Sequence, residues 1–289
     1  MTGMPAASNS DAPLFGGVTL TMISWKAQAT IQKTLESYES AGILDLFAQK
    51  RIHFNEISPA DIAIARRFGF DHSGSAANTG IFGAVDAVAA QVRTPFILSL
   101  ENDNPLVTDR AGLIAMLTSA LADMEARSVP AFIMRSRREP GEQFTRGERY
   151  AQRFNLVWPL GTDASHRRPM ANPLLRAYED RRRSALRGSA IYAEEDPTRR
   201  HPRIIEKTGN GNWLTRSTYL NWSNCAVLAR TDFLRNVVLD RVRNHPAPTT
   251  INGHQDIEAA LKVNGWWRKQ GFLIGQSEPG PFTHKRLDR

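Results

Sequence analysis

Apolar positions along this chain follow two periods, and the switches between them mark out its elements. Residues 17–25, GVTLTMISW, are β-rich and nearly continuous in apolar character, the pattern of a strand buried on both faces. Residues 29–47 place Ile31, Leu35 and Tyr38 at helical intervals, with Gly42 as a C-terminal stop. Residues 50–58, KRIHFNEIS, alternate as a second strand. Ser58, Pro59 and Asp61 then supply an N-cap, a first-turn proline and a first-turn acid for a short helix. The loop HSGSAANTG leads into a helix over 81–92, and TPFILSL (94–100) is a further strand. This order predicts an α/β fold, a mostly parallel, Rossmann-like sheet flanked by helices.

Past Asp109 the pattern predicts a helix to about Arg127 and a strand over 130–136. Residues 137–215 are polar and rich in Arg and Pro, and are expected as an irregular insertion of loops and short helices. A strand and helix over 221–238, a helix over 256–270 and a strand over 271–277 complete the chain. No repeat and no linker divides it, so one domain over 16–289 is expected after a flexible leader, 1–15.

With 289 residues, 41% of them hydrophobic, the chain can bury a full core, which excludes wholesale disorder. The single cysteine, Cys225, excludes a disulfide framework and fits a reducing compartment, so a cytoplasmic location is expected. The N-terminus lacks the basic start and apolar run of a signal peptide. No apolar run approaches the roughly 20 residues of a membrane span. The net charge of +8 is uneven: Arg127 to Arg203 holds 17 arginines, no lysine and nine acids, which equals the whole excess. Arginine alone suggests planar recognition of phosphate or carboxylate groups, although each arginine can equally belong to a solvated face. For Arg181, Arg182 and Arg183 the two readings are a helix surface and a contact with a lipid headgroup or an anionic acceptor.

The stretch LSLENDNPLV (99–108) ends an apolar run in two acids, Glu101 and Asp103. In open α/β sheets ligands bind outside the carboxyl ends of strands. Residues two apart in an extended chain point the same way, so Glu101 and Asp103 can share one cation, unless the acids merely meet water at a turn. Oxygen ligands of this kind suit Mg²⁺ or Mn²⁺, and zinc-type spacings are absent.

Together, VTLTMISWKAQATIQKTLESY, FNEIS, GSAANTGIFGAVDAV and TPFILSLENDNPLV resemble the nucleotide-binding half of GT-A fold glycosyltransferases, family-2-like, over about residues 17–108. The resemblance implies that Ser24 and Trp25 hold the nucleobase and that Glu56 contacts base or ribose. It places Asn78 and Gly80 close to the nucleotide, and Glu101 and Asp103 at the ribose and at a metal bridging the diphosphate. Glu stands at 101 where the first Asp of the family's motif usually sits, which leaves Asp103 the firmer metal ligand. In the second half GHQDIEAAL resembles the family's acidic helix start, with Asp256 as catalytic base and Glu258 second; acids there also simply cap a helix. His284 in the tail resembles a C-terminal metal ligand, with Lys285 and Arg286 beside it for diphosphate oxygens. Under this reading 16–110 binds the donor and 111–289 the acceptor.

Trp213, Tyr219 and Trp222 alternate with amides and hydroxyls, either an acceptor surface for sugar rings or a half-buried hairpin. Trp266 and Trp267 are expected in core and lid. The resulting expectation is an inverting transfer of sugar from a nucleotide-diphosphate donor to a hydroxyl of a carbohydrate or glycolipid, itself neutral or anionic, with peripheral membrane contact open. The alternatives are a nucleotidyltransferase, which usually has a Gly-rich basic loop that SWKAQAT is not, and a non-catalytic polyanion binder. For the latter the sequence carries no nucleic-acid motif.

Overall fold

The computed structural model describes residues 12–142, 144–161 and 187–286. Arg181, Arg182 and Arg183, and residues 1–11 of the expected leader, lie outside the described residues. The described end of that leader is tied down. The Phe15 N–H donates to Leu46 O at 2.8 Å, and its ring packs buried on Phe47, 5.9 Å between centroids.

Strands β1 (Val18–Trp25), β2 (Gln49–Asn55), β3 (Asp71–Gly74), β4 (Phe96–Glu101), β5 (Ala131–Ile133), β6 (Ile205–Lys207), β7 (Trp213–Arg216), β8 (Val227–Arg230) and β9 (Leu273–Gln276) form one sheet. Its order is β3-β2-β1-β4-β8-β5-β9-β7-β6. β3, β2, β1 and β4 run parallel, the expected architecture. The other half is mixed: β8 is antiparallel to both β4 and β5, β9 is parallel to β5, and β7 and β6 close that edge antiparallel.

Alternation along the strands divides the core into two layers. Val18, Leu20 and Met22 face α1 (Gln28–Ser40) and α4 (Arg110–Ala126) with Phe96, Leu98 and Phe132. Ile23, Ile97 and Ile133 face α3 (Gly80–Gln91), α5 (Thr145–Phe154) and the helical stretch after β8. Between α1 and α3 in the chain lies α2 (Pro59–Arg67), with Ser58 as the expected N-cap; the structure makes it a capping box, in which Ser58 accepts from the Asp61 N–H and Asp61 accepts back from the Ser58 N–H. Asp109 caps α4 through the Gly112 N–H at 2.7 Å.

Several boundaries differ from expectation. The first helix ends at Ser40, and only Leu44–Leu46 turns again, as a 3-10 segment after Gly42 at φ 64°. β3 is an edge strand of four largely exposed residues inside the expected loop. The helix expected over 256–270 is two, Ile257–Lys262 and Trp266–Gln270, parted where Asn264 and Gly265 adopt positive φ. β6 and β7 lie in the segment expected to be irregular. Its described arginines are largely consumed internally: Arg127, Arg138, Arg199 and Arg200 pair with Glu206, Glu195, Asp196 and Glu194, and buried Arg137 pairs with Glu278. Most of these are surface pairs worth little each.

Candidate functional site

A cavity of about 650 Å³ opens at the carboxyl ends of β1 and β4. Ser24, Trp25, Asn78, Gly80, Glu101, Asp256, Glu258 and His284 all line it, so one space gathers eight of the residues singled out in sequence.

β1 delivers Ser24 and Trp25. The Trp25 ring is 42% exposed on the cavity lip, and the Ser24 hydroxyl is buried with no hydrogen-bond partner. At the end of β2, Asn55 fixes the next loop. Its Oδ1 accepts from the Thr79 N–H (3.1 Å) and the Ser75 and Thr79 hydroxyls (3.2 and 2.7 Å), and its Nδ2 donates to Gly80 O at 3.3 Å. Asn78 in turn accepts from the Gly80 N–H at 2.8 Å. Gly80 has φ 71°, and a Cβ there would stand 2.3 Å from that of His254, so glycine is required by both conformation and space. Glu56 follows in a left-handed turn (φ 54°) and pairs with Lys26, whose ammonium holds its carboxyl below the usual range. It stands beside the cavity rather than on its wall.

The turn after β4 is anchored to α1. The Thr34 hydroxyl donates to Asn102 O at 2.7 Å, and the Tyr38 hydroxyl to Asn104 O at 2.6 Å. Glu101 and Asp103 are thereby held beside His284, with one ligand atom of each within 4.8 Å of the others. The tail places His284: the Val107, Thr283 and Lys285 N–H groups bond to Pro281, Pro105 and Asp103 carbonyls at 2.8–3.0 Å, and fully buried Phe282 packs edge-on against Tyr38.

Asp103 is fully buried; His284 Nε2 lies 3.2 Å and Arg286 Nε 3.4 Å from its Oδ2, while Oδ1 has no partner. These two cations outweigh the burial that would raise its carboxyl and hold it below the usual range. Burial and the Asp103 charge push Glu101 up to about 7. Burial works against a charged His284, but Asp103 outweighs it and raises the imidazole. An orphaned buried carboxylate oxygen, a second acid and an imidazole around one point fit a divalent cation of the Mn²⁺ or Mg²⁺ type.

Opposite, Asp256 is the N-cap of Ile257–Lys262. Its Oδ2 accepts from the Ala259 N–H at 2.8 Å, and Asn224 Nδ2 reaches Oδ1 at 3.3 Å. Glu258 is held at 3.2 Å by both Arg146 and Lys262. The aromatic residues expected around an acceptor do not line the cavity. Trp213 is buried, donating to Glu278 at 2.5 Å beneath Arg137 and Lys207, and Trp222 is buried edge-on to Trp267. Tyr219 packs its backbone and Cβ against Gly188. Trp267 is core, as expected. Trp213 and Trp222 are thus core side chains and Tyr219 is half-buried. Arg135, Arg146, Asn224 and His254 also line the cavity and were not singled out in sequence; for Arg135 the available signal was its place two residues after an apolar strand.

No family model and no curated protein sequence matches this chain. Solved structures do. TarS of S. aureus (residues 1–349, in complex with UDP-GlcNAc) superposes with TM-score 0.50 and 11% identity over 94% of this chain and 59% of that one. The mannosyltransferase PcManGT of Pyrobaculum calidifontis, with GDP-Man and Mn²⁺, gives TM-score 0.34 at 11% identity over 40% of this chain and 34% of its own. Glucosyl-3-phosphoglycerate synthase of Mycobacterium tuberculosis, with Mn²⁺ and UDP-glucose, gives 0.33 at 10% over 40% and 42%. The chain spans about three fifths of the TarS fragment. Among the described residues no helix is long and apolar enough to cross a membrane. The fold assignment rests on the TarS superposition: this chain shares the GT-A-type fold of TarS.

Proposed function

We propose that this protein is a metal-dependent glycosyltransferase that moves a sugar from a nucleotide-diphosphate donor to an acceptor hydroxyl. The observation that carries the reading is the buried Asp103 carboxylate, with one oxygen unpartnered, beside Glu101 and His284 at the mouth of β4. Asp103, Glu101 and His284 would hold Mn²⁺ or Mg²⁺, which neutralises charge growing on the diphosphate leaving group. Ser24 and Trp25 receive the base, with Glu56, Asn78 and Gly80 around the ribose side. Arg286, already aimed at the metal point, binds diphosphate oxygen.

Asp256 is the base that takes the acceptor proton in an inverting displacement. Glu258 is the weaker choice because Arg146 and Lys262 already occupy it, whereas among the described residues Asp256 Oδ1 meets only the 3.3 Å contact from Asn224. The reading treats 16–289 as one domain, with a donor half to residue 110 and an acceptor half beyond, working in the cytoplasm on a carbohydrate or glycolipid. A thermal-shift panel of UDP- and GDP-sugars with and without Mn²⁺ tests it. Nucleotide and metal together should stabilise the protein by about 2.7 kcal/mol at a hundredfold excess over Kd, and neither alone should match that. A panel in which no nucleotide sugar stabilises the protein sinks the proposal.

A further inference from the structure

Four permanent cations line the cavity, and three have a carboxylate partner. Lys262 and Arg146 both reach Glu258 at 3.2 Å, and Arg286 reaches Asp103 at 3.4 Å. Arg135 is the fourth. It is only 5% exposed, and among the described residues no carboxylate pairs with it. Its Nε donates to Pro140 O at 2.7 Å and its Nη2 to Glu142 O at 2.6 Å, and the guanidinium lies 4.2 Å from the centroid of Phe144. Two carbonyls and a ring face hold the group in place, and among the described residues no carboxylate neutralises it. Among the described residues Nη1 has no acceptor. A buried charge without a counterion is costly, and a fixed guanidinium fork takes a carboxylate or phosphate side by side.

Topology says which part of a substrate meets it. Ser24 and Trp25 follow β1, and Glu101 ends β4. Arg135 follows β5, which β8 separates from β4. Arg135 therefore lies on the side of the metal point away from the base-binding end, next to His284, whose Nδ1 meets the same Glu142 carbonyl as Arg135 Nη2. In the donor reading Arg286 and the metal would serve the diphosphate.

We infer that Arg135, seated on Phe144, recognises a carboxylate or phosphate-ester group carried by the substrate beyond its diphosphate. The inference rests on the donor reading above, and it extends that reading to a charged substrate on the transferred sugar or on the acceptor.

Paired probes that differ only in charge test it by calorimetry. Glycerol 3-phosphate is compared with glycerol on protein saturated with Mn²⁺ and UDP, and UDP-glucuronate is compared with UDP-glucose on protein with Mn²⁺. One charged member should bind better than its neutral partner by about tenfold or more. A preference in the first pair assigns the anion to the acceptor, and one in the second pair to the donor sugar. Arg135→Met should remove that preference, and Arg135→Lys, which keeps the charge but loses the fork, should reduce it. No preference in either pair overturns the inference, as does a preference that survives both substitutions. Should Arg135→Met not fold, an undiminished preference in Arg135→Lys overturns it alone. If neither UDP nor GDP binds with Mn²⁺, the donor reading falls, while the glycerol 3-phosphate pair, measured without nucleotide, still judges Arg135.

Discussion

In the half of the sheet made by β3, β2, β1 and β4, strand ends carry the cavity wall directly: Ser24 and Trp25 from β1, Asn55 from β2 and Glu101 from β4. In the other half the wall comes from loops and the tail. Asn224 and the tail that carries His284 are held there by contacts between residues distant in sequence, while Arg135 and Asp256 are fixed by near neighbours, Pro140, Glu142 and Phe144 for the one and the Ala259 N–H for the other. The parallel half is specified by local signals such as buried strands, caps and a required glycine. The mixed half is specified by buried polar knots. In one, Asp123 of α4 accepts from Thr208, Asn210 and Asn212, each at 2.8 Å. In another, Tyr150 donates to Glu194, and His201 lies 2.9 Å from the same hydroxyl. The lesson is that one wall of a cavity can be laid down by periodicity, while the groups that complete it must be carried in by tertiary structure.

The largest expected effect separates the chemistry of the two halves. Asp256→Asn keeps the N-cap, because Asn caps about as well as Asp, so fold and donor binding should stand. Transfer should fall by about 10² to 10⁴ in rate. Normal transfer by this variant would move the base to Glu258 or remove it from the mixed half.

Next comes stability. Asp123→Ala removes the acceptor shared by Thr208 and Asn212, both buried, and by exposed Asn210, and should cost about 3 kcal/mol. Ser58→Ala, which breaks the capping box of α2, should cost about 1 kcal/mol. Urea midpoints at unchanged slope measure both. Equal losses would erase the contrast between polar knots and local signals.

The difference also explains what the sequence let a reader see. β1, the start of α1, the Ser58 cap of α2 and the span of α4 were legible because period and cap chemistry act within a few residues. β3 was hidden because its four residues, Asp71–Gly74, lack an apolar face, and β6 and β7 because their pairing rests on Asp123 about 85 residues earlier. Trp213 and Trp222 looked like a sugar platform because spacing alone does not say which face is buried. Glu101 and Asp103 were visible as strand-end acids. His284 was visible only by resemblance, since its position depends on a tail threaded between residues 103–107 and 134–142. Nothing in composition separates Arg135 from the sixteen other arginines of its segment; that no carboxylate among the described residues pairs with it appears only in three dimensions.

The smallest expected effect is a pH slope in the metal-free protein. Glu101 titrates near 7 in the fold against an ordinary 4.5, so the folded state holds its proton more tightly than the unfolded chain. That contribution is fully present below about pH 4.5 and is lost as pH rises through about 7. Allowing for solvent in the cavity, the loss should be about 1 kcal/mol. Glu101→Gln should flatten this part of the stability curve; an unaltered curve would place the titration elsewhere.

The central claim, that Glu101, Asp103 and His284 make the parallel half a metal-dependent nucleotide site, is tested most directly by calorimetry of UDP and GDP with and without Mn²⁺, on the wild type and on Asp103→Ala. One nucleotide should bind the wild type with Mn²⁺ and at least about a hundredfold more weakly without it, an effect of about 2.7 kcal/mol. Asp103→Ala should keep its circular dichroism and lose the metal-dependent part. Binding indifferent to Mn²⁺, or unchanged in Asp103→Ala, would contradict the account.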